Sequence, residues 1–291
     1  MDYSRYASSG KYYTGAERKK GILIDGEAYI VKCAKMSPEG MTYSHVSEYI
    51  GSHLFAHLGI ETQQTMLGTC DNQQVVVMKD FIEKNEMFVP FNDVGDSSLE
   101  REKEKYQYSY EDIISMLKEN TKLTNVKDTC ERFWDMYIVD AWIGNFDRHG
   151  ANWGFIKKDN AYRIAPVYDN GSSLFPKLNT DEKIQEILNS EDEMNKRIFT
   201  FPTSQILLNG KKSSYYDVIS SLKFEECNNA LVRICNKIDM NLVIEFISNM
   251  NEISMVRKEF YITMLRRRYE KILLEPFMRL ERSKYGKDIC V

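Results

Sequence analysis

The densest polar cluster of this 291-residue sequence is Gly144-Asn145-Phe146-Asp147-Arg148-His149-Gly150-Ala151-Asn152. An apolar pattern with helical spacing precedes it at residues 126–143, and a hairpin pattern follows at residues 153–167. The cluster is therefore predicted to be a loop between two rigid elements, a favoured place for catalytic groups. Because the hairpin leads directly to Asp169, we expect Asp147, Asn152 and Asp169 to converge.

Two carboxylates and an amide form the set of groups that phosphoryl transfer needs. One carboxylate accepts the proton of the acceptor hydroxyl, while a second carboxylate and an amide oxygen hold Mg²⁺ on the phosphates of ATP. Asn152 follows Asp147 by five residues, as Asn follows the catalytic Asp in the kinase loop H-R-D-x-x-x-x-N, and Asp169 follows the hairpin. Each residue alone would more often satisfy a turn or a helix cap, but the ordered set favours a kinase.

Lys32 is the candidate phosphate ligand in the first part of the chain. Strand patterns at residues 21–24 and 27–33 flank the turn dipeptide Asp25-Gly26, and Lys32 shares a strand face with Ala28 and Ile30. A buried ammonium needs an anionic partner, which Glu48 or the ATP phosphates would supply. Glu48 lies in a segment of helical spacing, residues 44–58. The alternative is a strand-end lysine whose head group reaches solvent.

The fold class that these patterns predict is α+β, with two lobes as in protein kinases. Residues 1–82 are expected to form a small β-rich lobe, and residues 83–291 a larger, mainly helical lobe with one embedded hairpin. A loop that covers the phosphates should precede the first strands. The segment at residues 13–19, with Gly15 and Ala16, is assigned to it by position, since the sequence contains no G-x-G-x-x-G.

The charge and composition narrow the class of partner. Lys and Arg number 39 and Asp and Glu 43, a net charge of −4, so direct nucleic-acid binding is not expected. No apolar run is long enough to span a membrane, and the first residues do not resemble a signal peptide. The six cysteines are scattered and are expected to be reduced thiols. A cytoplasmic location is expected, with secretion by a route without a signal peptide left open.

Four segments resemble the family of HipA-like serine/threonine kinases. Two of them are residues 145–155 and 165–174, which contain Asp147 and Asp169, and the others are Tyr29-Ile30-Val31-Lys32 and Ser47-Glu48-Tyr49-Ile50-Gly51. The resemblance covers roughly residues 10–280, and it is to the shorter members, which lack the extra N-terminal subdomain of full-length HipA toxins.

The resemblance implies roles for individual residues. Asp147 would be the catalytic base, Asn152 and Asp169 the Mg²⁺ ligands, Lys32 a phosphate ligand, and His149 a neighbour of the transferring phosphate. Met78-Lys79-Asp80-Phe81 would be the hinge, with the backbones of Lys79 and Phe81 facing adenine.

The resemblance also implies a partner and a means of regulation. The expected activity is ATP- and Mg²⁺-dependent transfer to a Ser or Thr of a protein substrate, with a role as a toxin or effector. An antitoxin partner is left open. Autophosphorylation of a serine in the phosphate loop can inactivate HipA-like kinases, and Ser8, Ser9 and Thr14 are the local hydroxyls. Asn170 replaces the Phe of the kinase D-F-G motif, so the packing switch of that Phe is not assumed.

The sequence leaves two alternatives to a protein kinase open. One is a catalytically inactive kinase fold that serves as a binding module, and the other is a small-molecule or lipid kinase, since related folds act on those substrates. Arg266-Arg267-Arg268 is interpreted as a solvated helix face.

Overall fold

The computed structural model describes residues 1–11, 13, 19–94, 108–109, 126–159 and 161–288. Its strands are β1 (Lys19–Ile24), β2 (Glu27–Cys33), β3 (Met36–Ser37), β4 (Gly40–Met41), β5 (Thr65–Cys70), β6 (Gln73–Lys79), β7 (Glu86–Pro90), β8 (Tyr108–Ser109), β9 (Gly154–Lys158), β10 (Ala161–Ile164), β11 (Thr203–Leu208) and β12 (Lys211–Ser214). Its helices are α1 (Ser44–His57), α2 (Phe91–Val94), α3 (Val126–Ile143), α4 (Asp181–Leu188), α5 (Glu191–Asn195), α6 (Tyr215–Ser220), α7 (Glu225–Cys235), α8 (Met240–Ser248), α9 (Met255–Arg268) and α10 (Glu275–Asp288).

The first part of the chain forms an antiparallel sheet in the order β1-β2-β6-β5. The turn at Asp25-Gly26 has φ of 51° and 84°, and the positive angles match a tight hairpin turn, as predicted from that dipeptide. One face of the sheet packs into a small core with Tyr3, which is 1% exposed. The other face carries Ile30 and Lys32 toward a cavity, so the face that these two residues were predicted to share is confirmed.

Helix α1 lies against this sheet and also faces the second lobe. Val46, Ile50 and Leu54 are buried at helical spacing, as the sequence predicted. The helix ends at His57, one residue before the predicted end, because Leu58 is its C-cap.

The second part of the chain is mainly helical and is packed around α3. Trp134 and Trp142 of this helix are at most 1% exposed and lie in the main core. The predicted bounds of α3 are confirmed. In the structure α9 begins at Met255, a π-helical segment covers Tyr269–Leu274, and α10 continues the helical stretch.

A second sheet of three strands, in the order β10-β9-β7, carries the hairpin that the sequence predicted. The third strand, β7, was not predicted. It pairs with β9 across some 70 residues of sequence, a pairing that no local pattern reveals. A third sheet has the order β12-β11-β8, and β3 pairs with β4. Among the described helices, none has the length and apolar character that crossing a membrane requires.

Candidate active site

The loop after α3 folds back onto the end of that helix. Gly144 follows the helix with a φ of 68°, a conformation that favours glycine. Asn145 donates from Nδ2 to Oδ1 of Asp140, 3.0 Å away in the last turn of α3. The Oδ1 of Asn145 accepts the backbone N–H of Asp147 at 3.1 Å. The end of the helix therefore fixes the backbone at Asp147.

The buried side chain of Arg148 connects this loop to the helix and to the segment after β10. Its Nε and Nη2 donate to Oδ2 and Oδ1 of Asp140 at 2.9 and 3.1 Å. Nη2 also donates to Oδ1 of Asn170 at 2.6 Å, and Nη1 donates to the carbonyls of Asn152 and Tyr168. Burial by itself would lower the pKa of Arg148, but the carboxylate of Asp140 raises it above its ordinary value. The guanidinium thus remains charged and fixed.

Three of the predicted site residues lie together at the open side of the loop. The side chain of Asp147 is 50% exposed, and Nε2 of His149 lies 3.8 Å from its Oδ1. Asn152 donates from Nδ2 to the backbone carbonyl of Asp147 at 2.7 Å, which orients the amide and leaves its Oδ1 as an acceptor. Burial raises the pKa of Asp147, the charge of His149 lowers it, and the charge of Asp169 raises it again.

Asp169 joins this loop to the first lobe. Its φ is 58°, in the left-handed region that Asp adopts more readily than most side chains. Its Oδ1 lies 3.8 Å from Nζ of Lys32 on β2. The charge of Asp169 raises the pKa values of both Asp147 and Glu48. Asp169 therefore lies within electrostatic reach of both other carboxylates.

Glu48 is almost fully buried beside Lys32 and Asp169. It is 1% exposed, and its Oε1 accepts the backbone N–H of Asn170 at 2.8 Å. Its Oε2 has no hydrogen-bond partner in the part of the chain that the structure describes. Burial raises the pKa of Glu48, the charge of Asp169 raises it further, and the charge of Lys32 lowers it. A Cβ on Gly171 would lie 3.2 Å from Oε2 of Glu48 and 3.8 Å from Nζ of Lys32. The ammonium therefore lies near both carboxylates.

A cavity of about 460 Å³ opens beside Lys32, Glu48 and Asp169. Its other lining residues are Lys11, Tyr13, Lys19, Ile30, Gln63, Met78, Asp80, Phe81, Ile82, Phe88 and Tyr168. The rings of Phe81, Phe88 and Tyr168 form a cluster with centroids 5.3 to 6.3 Å apart. The cavity thus has charged groups at one end and an aromatic wall, the combination that orients a ligand with both a flat ring and an anionic part.

The hinge residues differ in what their backbones contact. The N–H of Lys79 donates to the carbonyl of Gln64 at 2.8 Å, and the carbonyl of Lys79 accepts Nε2 of Gln63 at 2.9 Å. Both backbone groups of Lys79 are therefore used within the chain. Of the two expected hinge contacts, the lining of the cavity includes Phe81.

Asp80 ties the N-terminal segment to the rim of the cavity. Its Oδ2 accepts Nζ of Lys11 at 2.8 Å and the hydroxyl of Tyr13 at 2.9 Å. Burial and the hydrogen bond to Asp80 raise the pKa of Tyr13, so this phenol stays a donor. Gly15 and Ala16, expected in the phosphate-covering loop, lie outside the described residues.

Sequence reasoning missed the residues that hold the site in shape. Arg148, Asp140 and Asn170 are all buried and form one hydrogen-bonded network. An Arg flanked by Asp147 and His149 inside the polar loop was a usable signal, since a buried Arg requires an acidic partner. Its partner could not be chosen from the sequence, because several carboxylates lie at similar distances along the chain.

The oxygen donors suit Mg²⁺. In the described ranges of the chain, no three or more His, Cys, Asp or Glu side chains are grouped so that they could hold a metal ion. Magnesium is commonly held by one or two protein oxygens together with substrate phosphates and water, so a full protein cage is not required. The carboxylate of Asp169 and the Oδ1 of Asn152 are donors of this kind, and the surrounding carboxylates favour a cation.

The two-lobed fold and the charged cleft place this chain in the class of kinase-like proteins. The chain belongs to the family described as the HipA-like C-terminal domain, whose family model matches residues 13–245. It is 36% identical over 271 residues to the serine/threonine-protein kinase CtkA of Helicobacter pylori, an alignment that spans 90% of this chain and 83% of that protein.

Solved structures agree with this relationship. The crystal structure of the proinflammatory kinase CtkA of Helicobacter pylori superposes with a TM-score of 0.88 at 34% identity and covers 96% of this chain and 97% of that one. The structure of the HipA, HipB and operator DNA complex of Shewanella oneidensis MR-1 superposes with a TM-score of 0.62 at 16% identity and covers 92% of this chain and 66% of that one. This similarity shows a shared fold. By sequence and fold, this chain is an enzyme of the serine/threonine protein kinase class.

Proposed function

We propose that this chain transfers the γ-phosphoryl group of ATP to a Ser or Thr hydroxyl of a protein, with Mg²⁺ as cofactor. The observation that carries the proposal is that Asp147 and Asp169, from separate segments, lie within electrostatic reach of each other where Asp169 meets Lys32 at the cavity. The nucleotide would lie between the small lobe, residues 1–82, and the larger lobe, residues 83–291.

Asp147 is proposed as the catalytic base that takes the proton of the acceptor hydroxyl. Its half-exposed carboxylate can be reached from solvent, and the Asp140–Arg148 network fixes its backbone. His149, 3.8 Å away, would stabilise negative charge on the transferring phosphoryl group. Positioning and charge stabilisation, rather than covalent chemistry, supply most of the rate in this reaction class.

Lys32, Asn152 and Asp169 are proposed to hold the phosphates and Mg²⁺. The ammonium of Lys32 would contact phosphate oxygens, with Glu48 orienting it. Oδ1 of Asn152 and the carboxylate of Asp169 would be the protein ligands of the metal. When bound, Mg²⁺ supplies positive charge that neutralises the phosphate oxygens during transfer.

The aromatic wall is proposed to hold adenine. Ile30 and Met78 would lie on one side of the base, and the ring cluster of Phe81, Phe88 and Tyr168 on the other. Because both backbone groups of Lys79 are engaged elsewhere, the proposal relies on the backbone of Phe81 to face adenine. Gly15 and Ala16 would cover the phosphates.

The decisive experiment is phosphoryl transfer by the Asp147→Asn variant. We expect radiolabel transfer from γ-labelled ATP to a generic protein acceptor to fall by at least about 10³-fold, since both positioning and proton transfer are lost. Binding of Mg-ATP, measured by calorimetry, should persist. The matched control is Asp159→Asn, in the β9–β10 turn, which should retain activity. Wild-type protein that binds Mg-ATP but transfers no label would support the binding-module alternative instead.

The metal assignment has its own test, Asp169→Asn. Both Asp169 and the control residue Asp71 have positive φ, 58° and 50°, which Asn tolerates. We expect Asp169→Asn to remove the gain in ATP affinity that Mg²⁺ gives over EDTA, and Asp71→Asn to leave it unchanged. A gain that survives in Asp169→Asn would exclude this residue as a metal ligand.

An antitoxin-like partner and autophosphorylation are proposed as regulation. In the Shewanella complex, HipA is found with HipB and operator DNA, and a protein partner of this kind is proposed here by analogy. Ser8, an exposed residue, and Ser9 precede the expected phosphate loop. Mass spectrometry after incubation with Mg-ATP should find phosphate on one of them or on Thr14. An unmodified segment in active enzyme would contradict this mode of regulation.

A further inference from the structure

A surface beside Asp147 has no role in the nucleotide site described above. Lys177 is exposed, and its Nζ lies 5.8 Å from the ring centroid of Phe146, the residue before Asp147. The ring of Phe146 in turn lies 5.8 Å from that of Phe201. Phe146, Lys177 and Phe201 are called the acceptor patch below.

The backbone before Lys177 adopts a strained conformation to place it there. Leu174 and Phe175 have φ of 55° and 57°, in the left-handed region that such side chains rarely adopt. The strain is held by a hydrogen bond from the N–H of Leu174 to the carbonyl of Ile143 at 2.9 Å. Strain of this kind costs about 1–3 kcal/mol per residue and is concentrated at functional segments. In this conformation the chain returns from Asp169 to the end of α3, next to the loop that contains Asp147.

The apolar part of the patch packs on the core on one side and is exposed to solvent on the other. Phe201 is 44% exposed although its ring contacts Phe175, which contacts Phe260 in the core. An exposed aromatic ring that packs on a rigid core is a typical anchor for a bound polypeptide side chain.

The charge of Lys177, the basic residue of the patch, acts on Asp147 and lowers its pKa. Over the described ranges of the chain, Lys177 forms no salt bridge, whereas Lys196 and Arg197 both pair with Glu193 at 2.6 and 2.7 Å. Lys177 also does not line the 460 Å³ cavity. Its charge is therefore available to a ligand that approaches from the side of Asp147.

We infer that the acceptor patch binds the protein substrate and selects an acceptor segment with an acidic side chain and an apolar side chain near the phosphorylated hydroxyl. The inference deepens the proposed function and rests on it. The acidic side chain would pair with Lys177, and the apolar one would lie on Phe146 and Phe201. Charge complementarity of this kind governs which partner is chosen and how fast it associates.

The test is a set of matched Ser peptides that differ at the positions flanking the Ser, with Asp, Ala or Lys at one and Leu or Ser at another. We expect kcat/KM to be about tenfold higher for the preferred Asp peptide than for its Lys counterpart, since one exposed pair is exchanged for a repulsion. Lys177→Glu should reverse that order, and Phe201→Ala should remove the preference for Leu over Ser.

The matched control is Lys127→Glu, the same change in charge at the far end of α3. The 18-residue helix places it about 25 Å from the loop, so the preference for the Asp peptide should stay. If Lys177→Glu raises the KM for ATP and leaves the peptide order unchanged, Lys177 serves the nucleotide and the inference is overturned. If wild-type protein phosphorylates the peptides without preference, the inference also fails, whereas no transfer to any peptide or protein would count against the proposed function itself.

Discussion

Arg148 and Asp140 form a buried bidentate ion pair in which Nε and Nη2 donate to Oδ2 and Oδ1 at 2.9 and 3.1 Å. The side chains are 5% and 1% exposed, so neither charge is solvated by bulk water. The same guanidinium reaches Asn170, next to Asp169. One pair therefore fixes the relation between the loop of the proposed base and the segment of the proposed metal ligand.

Breaking this ion pair should destabilise the folded protein. Arg148→Met leaves the carboxylate of Asp140 buried without its counter-charge, and the free energy of unfolding should fall by about 3–5 kcal/mol. Urea denaturation followed by circular dichroism measures this change. Arg233→Met, which breaks the more exposed pair of Arg233 with Asp135, whose side chains are 33% and 15% exposed, should cost less than Arg148→Met.

A double variant distinguishes the loss of the ion pair from the change in side-chain size. Asp140→Leu combined with Arg148→Met removes both buried charges and should be less destabilised than Arg148→Met alone. If the two changes simply add, the pair is not the source of the effect.

The parts of the fold that the sequence predicted are those that local patterns determine. The Asp25-Gly26 turn and helix α3 follow from turn chemistry and apolar spacing, and both are confirmed. Strand β7 could not be predicted, because its pairing with β9 depends on distant segments meeting.

The site divides in the same way. The spacing of Asp147, Asn152 and Asp169 could be read along the chain, but the partners of buried arginines could not. Arg266-Arg267-Arg268 was interpreted as a solvated face, and for Arg268 this was wrong. It is 1% exposed, and its Nε and Nη2 donate to the carbonyl of Ala141 at 3.0 and 2.6 Å, at the end of α3. Arg267, by contrast, pairs with Glu191 at the surface.

Glu48→Gln should stabilise the protein while it weakens the enzyme. Burial raises the pKa of Glu48, so the ionised carboxylate is less favourable in the folded than in the unfolded chain. The resulting cost is absent in acid and grows as the pH rises above the ordinary value of 4.5 through the raised one. We therefore expect Gln to raise Tm at pH 8 and not at pH 4. The kcat/KM for ATP should fall at least about tenfold, since the negative charge that Glu48 places near Lys32 is lost.

The control for this variant is Glu245→Gln on the exposed face of α8. It should change neither Tm nor activity. A lower Tm of Glu48→Gln at pH 8 would mean that ionised Glu48 stabilises the fold, contrary to the direction of its pKa shift.

Gly51→Ala should destabilise the protein although alanine is the better helix former. Alanine is favoured over glycine by about 1 kcal/mol inside a helix. A Cβ at Gly51 would lie 2.5 Å from the Cβ of Asn170, whose side chain is held by Arg148 and Ser52. Because Asn170 cannot move freely, we expect a net loss of about 1–3 kcal/mol in urea unfolding.

The comparison for Gly51→Ala is the opposite substitution on the same helix. Ala56 is exposed on α1, and Ala56→Gly should cost about 1 kcal/mol from helix propensity alone. A Gly51→Ala variant more stable than wild type would show that Asn170 does not pack against the helix as closely as this geometry requires.

The rate of phosphoryl transfer should fall in acid as Asp147 becomes protonated, and His149 should influence the pH at which this loss occurs. Burial raises the pKa of Asp147 above its ordinary 3.8, while the charge of His149 lowers it. A base acts only when ionised, so activity is lost as the pH falls through this raised pKa. His149→Gln removes the lowering charge and should move the acidic limb of kcat/KM to higher pH, whatever it does to the maximum. His57→Gln, on the exposed end of α1, should leave the limb in place. A limb that moves to lower pH in His149→Gln would contradict the assignment of Asp147 as the base that His149 tunes.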